Sequence, residues 1–356
     1  MHHGMLTIYK EAGYTSSDAV ARLRGILRMR KIGHTGTLDP DAQGVLPMCL
    51  GNATRICELI ADREKEYVAV MRLGIKTDTQ DMSGNVLFRM EDDEMLSRLS
   101  TEERIRSAAA SFVGEIDQVP PMYSAVKING KRLYDMARKG ITVERKPRRI
   151  TIYSIRVEKI EPPLVTMRIC CSKGTYIRTL CEDIGEALGT GAAMQSLLRT
   201  RVGQFFLGEA RTLDEVERIA KTSPEELPLL IRPVDSFFED LPAGICAADA
   251  LRLLKNGNPL TPEDLSFPGP SSDPLVQTGA SRESQDRTGA GQTENGFSTA
   301  ERSASGEIPP RAPLPGLNPA DKVIRVYDDR GVFYGLYVRK QRQNRFTAYK
   351  MFLPEG

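Results

Sequence analysis

Lys31-Ile32-Gly33-His34-Thr35-Gly36-Thr37-Leu38-Asp39-Pro40 is the densest run of unusual residues in the chain. Two glycines, a proline and small polar residues surround a single acid, so the run reads as a loop. Asp39 stands before Pro40, and the proline ring disfavours helical geometry in the residue it follows. By composition alone the run fits a tight turn capped by its own aspartate.

Working outward, Thr15-Ser16-Ser17-Asp18 reads as a helix start before an amphipathic run over 19–27. Alternation in Tyr67-Val68-Ala69-Val70-Met71-Arg72-Leu73 predicts a strand over 66–74. A second helix is expected over 101–112. Residues 149–160 and 164–171 read as two strands around the turn Glu161-Pro162-Pro163. Residues 176–188 read as a helix ended by Gly189 and Gly191. Helices interleaved with antiparallel-looking strands predict an α+β domain.

The chain has 356 residues, enough for a larger and a smaller domain. Hydrophobic residues at 40% and charged residues at 27% fit a soluble globular protein. No apolar run approaches the length of a membrane span, and residues 1–5 lack the basic and apolar regions of a signal peptide. The expected compartment is the cytoplasm. None of Cys49, Cys57, Cys170, Cys171, Cys181 and Cys246 forms a CxxC pair, so no structural metal is expected. These thiols read as small apolar packing groups in a reducing compartment.

A net charge of +2 excludes a uniformly basic nucleic-acid protein, so the distribution of charge matters more. Arg22, Arg24, Arg28, Arg30 and Lys31 form one basic cluster. Arg138, Lys139, Arg145, Lys146, Arg148 and Arg149 form a second, and Arg339, Lys340, Arg342, Arg345 and Lys350 a third. Each alone reads as a solvated face; together they suit an RNA phosphate track if the fold gathers them on one side.

From about 266 to 320 the sequence turns rich in Ser, Gly, Pro and Thr, with no Lys and with Phe267 and Phe297 as its aromatics. Such a segment buries too little apolar surface to offset its ordering entropy and reads as disordered. Beyond it, Val323-Ile324-Arg325-Val326-Tyr327 and 332–338 read as strands joined at Asp328-Asp329-Arg330-Gly331. A small β domain interrupted by an insertion is expected.

Further motifs follow in order. Lys65-Glu66-Tyr67 leads to Leu73-Gly74 and Thr77-Asp78-Thr79-Gln80-Asp81. Then come Gln118-Val119-Pro120-Pro121-Met122-Tyr123-Ser124-Ala125, Gly174-Thr175-Tyr176-Ile177-Arg178 and Leu197-Leu198-Arg199-Thr200. With Gly33-His34-Thr35-Gly36-Thr37-Leu38-Asp39-Pro40 this series resembles the TruB family of bacterial tRNA pseudouridine synthases. The resemblance spans roughly residues 5–240. Two of its motifs depart from it: Tyr9-Lys10-Glu11-Ala12 keeps the lysine of the first motif but not its flanking aspartate and proline, and Leu198 stands where an arginine is usual.

The resemblance implies a pseudouridine-synthase fold with a mixed, mainly antiparallel sheet over 5–240, and a small PUA-like RNA-binding β domain over 241–356. It implies Asp39 as nucleophile, Arg178 as its ionic partner and Tyr67 against the target base. Tyr176 and Leu197 would line the pocket and His34 would lie near the extruded nucleotide. Lys10 would contact RNA or brace the active-site loop. The implied substrate is uridine 55 in the T-arm of tRNA, with no cofactor, no obligatory protein partner and a monomeric enzyme. The same residues also have structural readings: Arg178 as a surface arginine, Tyr67, Tyr176 and Leu197 as core, and His34 as a loop histidine. Two rival functions are an RNA-guided synthase of a multiprotein particle and a non-catalytic RNA-binding scaffold. Activity on free tRNA separates the first, and the intact Asp39, Tyr67 and Arg178 set disfavours the second.

Overall fold

The computed structural model describes residues 2–124, 126–128, 130–268 and 314–353. The greater part of the insertion read as disordered, 269–313, lies outside the described residues. The chain divides into two compact units, Met1–Ile231 and Arg232–Gly356.

The first unit is built on one twisted sheet. Its strands of three or more residues, in chain order, are β1 (Gly4–Lys10), β2 (Ile32–His34), β3 (Gln43–Leu50), β4 (Lys65–Leu73), β5 (Gly114–Gln118), β6 (Arg148–Glu161), β7 (Leu164–Cys171) and β8 (Ala192–Val202). The sheet runs β1-β3-β8-β4-β7-β6-β5, with β2 paired to β3. All these pairings are antiparallel except β3 with β8, where Leu198 faces Gln43 and Arg199 faces Gly44 in parallel. This is the mixed, mainly antiparallel α+β sheet expected.

Each element follows from its sequence. In β4 burial alternates strictly, with Lys65, Tyr67, Ala69, Met71 and Leu73 on the covered face. Helix α1 (Ser16–Leu27) opens with a capping box. Thr15 Oγ1 accepts from the Asp18 N–H at 3.1 Å and Asp18 Oδ2 accepts from the Thr15 N–H at 3.0 Å. Helices α2 (Glu102–Ala110) and α3 (Ile177–Leu188) lie on the covered face of β4 and β7, where Leu180, Cys181, Ile184 and Leu188 join the core. Leu180, Ile184 and Leu188 each contribute about 2 kcal/mol by leaving water. A second core joins α1 and α4 (Leu213–Thr222) to β1 and β3.

Five of these strands were not anticipated from sequence: β1, β2, β3, β5 and β8, and β2 places the start of the run read as a loop in a strand edge paired to β3. In β3 the obstacle is Pro47, which argues against an interior strand because it cannot donate to the ladder. The structure resolves the conflict locally. Pro47 O accepts from the Thr35 N–H, so the missing Pro47 N–H points to that same side. There β8 pairs only with residues 43 and 44 and β2 only with 48–50, leaving a gap in the ladder at 47.

The second unit carries β9 (Ala243–Cys246), β10 (Leu265–Ser266), β11 (Lys322–Tyr327), β12 (Phe333–Arg339) and β13 (Thr347–Met351), in the order β10-β9-β11-β12-β13. Its core holds Leu254, Leu260, Val326 and Tyr337. The turn expected at 328–331 is there: Asp328 Oδ1 accepts from the Arg330 and Val332 N–H groups. The two ends of the insertion sit on either side of β9. Ser266 pairs with Ile245 and Arg325 with Ala243, so the flanking strands are about 10 Å apart.

Because the flanks are already held together by β9, residues 268–318 are expected to be replaceable by a short Gly/Ser linker. Shortening the loop from about 55 residues to about 5 lowers closure entropy by roughly 2 kcal/mol. The replacement also removes the exposed bond from Tyr349 Oη to Pro315 O. Melting temperature should hold or rise slightly, with turnover and tRNA affinity unchanged. Earlier melting together with tenfold weaker tRNA binding would show that the insertion is structural or functional.

Candidate active site

The Asp39 loop is pinned from several elements at once. At the start of α1, Ser16 Oγ accepts from the Leu38 N–H at 2.9 Å. The Gly13 N–H donates to Pro40 O at 3.0 Å. Lys10, at the end of β1 and 1% exposed, donates from Nζ to Glu11 O, Pro40 O at 2.8 Å and Ala42 O at 2.6 Å. Its burial lowers the ammonium pKa to about 8. Asp39 closes the turn itself, its carbonyl accepting from the Ala42 N–H. The loop is therefore a rigid mount for one carboxylate.

Arg178 comes from the first turn of α3, and Nε meets Asp39 Oδ2 at 3.0 Å. The rest of its guanidinium is also held: Nη1 donates to Thr79 O at 3.0 Å and lies 3.5 Å from Asp81 Oδ2, while Nη2 donates to Tyr123 O at 2.9 Å. The helix start that carries it is fixed by Gln118, whose side-chain amide accepts from the Tyr176 N–H at 2.8 Å and donates to Tyr176 O at 3.0 Å. The Arg178 side chain is 6% exposed and that of Asp39 40%. Burial pushes the Asp39 carboxyl above the ordinary aspartate range, with Arg178 as the main influence pulling it down and Asp81 adding to the rise. Arg178 thus restrains a rise; it does not produce a depressed pKa.

Tyr67 projects from the covered face of β4 and is 7% exposed. Its strand partner on β8 is Arg199, and Ala69 faces Leu197, so Tyr67 and Arg199 share one face of the sheet with Leu197. Burial pushes the Tyr67 phenol up to about 12, against the opposing pull of the Arg199 guanidinium within hydrogen-bonding reach. These side chains enclose a cleft of about 270 Å³ lined by Asp39, Tyr67, Tyr176, Arg178, Leu197 and Arg199, among others.

Of the residues expected at the site, Asp39, Arg178, Tyr67, Tyr176 and Leu197 line this cleft. Lys10 does not; its buried ammonium on three carbonyls is the bracing alternative and leaves no face for RNA. His34 lies on β2, half-buried, where Nδ1 accepts from the Gly36 N–H at 3.3 Å, and it is not part of the cleft lining. Burial lowers its pKa. Three residues had no role assigned from sequence: Asp81, Arg199 and Ser124. Each stood inside a quoted motif, but their positions against Asp39 and Tyr67 arise only when distant strands meet. Ser124 lines the cleft with a buried hydroxyl that has no hydrogen-bond partner among the described residues.

The first basic cluster is partly occupied: Arg22 is ion-paired to Asp214 and Glu217, and Arg24 Nη2 donates to Ile32 O. Arg28, Arg30 and Lys31 are exposed. In the second, Arg149 pairs with Glu115 and Asp117. None of the six cysteines is in a disulfide. No helix among the described residues is long and apolar enough to cross a membrane.

Residues 24–177 match the TruB family pseudouridylate synthase (N terminal domain), and residues 178–239 match the tRNA pseudouridylate synthase B C-terminal domain. A relative from Lachnoclostridium phytofermentans named tRNA pseudouridine synthase B is 40% identical across 99% of this chain and 100% of its own length. The chain belongs to the TruB family of pseudouridine synthases. This TruB protein is accordingly an isomerase. Relatives of the same name from Alkaliphilus oremlandii and Clostridium perfringens are 44% and 52% identical, over 72% and 60% of this chain and 82% and 71% of their own. Among solved structures, a Cbf5-Nop10-Gar1 complex contains a chain similar at a TM-score of 0.63 and 25% identity, covering 99% of this chain and 85% of that one.

The Asp39–Arg178 geometry sets a test. Arg178→Met removes the main influence that opposes protonation of a partly buried Asp39, so the carboxyl pKa rises further. The acid limb of the pH–rate profile should move to higher pH, and the rate at neutral pH should fall at least a hundredfold, or about 2.7 kcal/mol. A variant with wild-type rates throughout the acid range would show that the pair does not govern Asp39.

Proposed function

We propose that this enzyme isomerises uridine to pseudouridine at position 55 in the T-arm of tRNA, with Asp39 as nucleophile and Arg178 and Tyr67 as its partners. The observation that carries the reading is a single one: a carboxylate on a braced loop, 3.0 Å from a buried arginine, beside a buried tyrosine in one cleft. The reaction breaks the N1–C1′ bond, turns the base and forms C5–C1′, with the C5 proton lost and one gained at N1. A carboxylate serves as transient covalent attachment, to ribose C1′ or base C6, and splits one hard step into two. Tyr67 lies against the base and accepts the C5 proton. Tyr176 and Leu197 form the pocket walls.

These atoms are hidden in a stacked helix, so the nucleotide must be extruded to react. A loop base flanked by phosphates suits a cleft with aromatic walls and the exposed Arg28, Arg30 and Lys31 of the same unit. The second unit, with exposed Lys340, Arg342 and Arg345, is read as a PUA-like RNA-binding module. The enzyme is read as a cytoplasmic monomer that needs no guide RNA; the tRNA pseudouridine synthase B relative from Lachnoclostridium phytofermentans spans this chain nearly end to end.

The test uses purified protein, unmodified tRNA transcript and no other component. Pseudouridine should appear at the T-arm uridine and nowhere else. Asp39→Asn keeps the shape of the side chain and removes the nucleophile. It should abolish turnover while changing tRNA affinity less than about tenfold, or ~1.4 kcal/mol. Product from a verified pure variant would sink the assignment of Asp39, and dependence on an added guide RNA would favour a guided synthase.

A further inference from the structure

We propose that Arg199 is a positioning residue of the catalytic centre, holding the Asp39 loop and the Tyr67 hydroxyl in register through one buried guanidinium. The proposal rests on the reading that Tyr67 accepts the C5 proton.

Arg199 is, with Arg325, the largest fully buried side chain of the described residues, at 1% exposure. A buried arginine is ordinarily tied to a carboxylate, because an uncompensated charge away from water is costly. Among the described residues Arg199 forms no ion pair. Its partners are carbonyls and one phenol: Nε donates to Val45 O at 2.7 Å, while Nη1 and Nη2 reach Thr37 O and Gly36 O at 3.4 Å. Gly36 and Thr37 belong to the loop that carries Asp39. The phenol is Tyr67, directly across the strand pair.

The backbone is shaped to seat this side chain. β8 shifts register against β4 between Arg199 and Arg201, the kind of bulge that re-aims a side chain beside a site. On the other flank Gly44 faces Arg199 with φ +109°, and a Cβ there would lie 2.2 Å from Arg199 O. A glycine lets β3 come close enough for Arg199 to pass beneath the loop.

An uncompensated buried cation is stabilised when negative charge develops next to it. Tyr67 must carry that charge to take the C5 proton, the electrons of the C5–H bond then closing the C5=C6 double bond. The groups facing Tyr67 are Arg199 from β8, Cys171 from β7 and Asp39 from the loop. Arg199 alone favours the phenolate; Cys171 and Asp39 oppose it. Lys65 on β4 adds a second cation beside Arg199, its own ammonium lowered to about 8 by burial.

The experiment replaces tyrosine by 3-fluorotyrosine throughout the full-length protein, which lowers the phenol pKa into a measurable range. The Tyr67 resonance is assigned by its loss in Tyr67→Phe. Removing the cation raises the tyrosine pKa, so in Arg199→Met the resonance should titrate at least one unit higher than in wild type. Single-turnover rate on unmodified tRNA should fall at least thirtyfold with tRNA affinity within threefold. Arg199→Lys keeps the charge and should recover the rate to within about tenfold of wild type. Arg199→Gln takes the place of the methionine variant if the latter does not fold. An unmoved titration, a rate within threefold of wild type, or a lysine variant no better than the neutral one overturns the proposal. Wild-type turnover by Tyr67→Phe would instead overturn the role of Tyr67, whatever the titration shows.

Discussion

The first unit is organised around one electrostatic constraint: a partly buried carboxylate on a loop must face a buried guanidinium on a helix. Neither group tolerates burial alone. Arg178 is therefore anchored on the Thr79 and Tyr123 carbonyls as well as on Asp39, and Asp39 is mounted on a loop held by Lys10, Ser16 and Gly13. Freedom in either partner would open the pair to water and lose the fixed orientation of the carboxylate in the cleft. The sheet supplies the rigidity. β1 and β3 set the root of the loop and β4 and β8 the floor of the cleft, while α3 crosses above with its first turn at the carboxylate.

The site contains more buried cations than its chemistry visibly requires. Lys10, Lys65, Arg178 and Arg199 are each less than a tenth exposed. Three of them are tied mainly to backbone carbonyls, and only Arg178 has a close carboxylate. Carbonyl dipoles satisfy hydrogen bonding without cancelling charge, so the cleft keeps a positive interior. That field suits a reaction in which a carboxylate must stay ionised, and it suits a substrate flanked by phosphates. It works against the tyrosine and aspartate shifts: burial raises both, and the arginine beside each restrains the rise.

Local pattern was readable wherever the sequence signal is local. The capping box at Thr15 and Asp18, the alternation of β4 and the Gly189 stop of α3 depend on neighbours a few residues away, and these elements lie where the pattern puts them. β3 was not readable, because Pro47 is tolerated only through a gap in the ladder that distant strands create. The basic clusters do reach the surface, but their pairing was not readable. Arg22 and Arg149 are engaged by Asp214, Glu217, Glu115 and Asp117, partners that lie far away in sequence or across a strand pair.

The sequence by itself determined the chemistry available: one aspartate in a glycine-rich loop, one arginine at the start of a helix, a tyrosine on an alternating strand. Residue type and order fix charge, nucleophilicity and local geometry, and these need no tertiary information. The tertiary structure decided which groups meet. Asp81 behind Arg178 and Arg199 beneath Gly36 and Tyr67 are pairings of residues between 97 and 163 positions apart. It also decided that Lys10 is a brace, since no pattern in the chain says that its ammonium would end on Pro40 and Ala42 out of reach of water. Strand register across the sheet sets these distances, and register is settled by the packing of whole faces against the core.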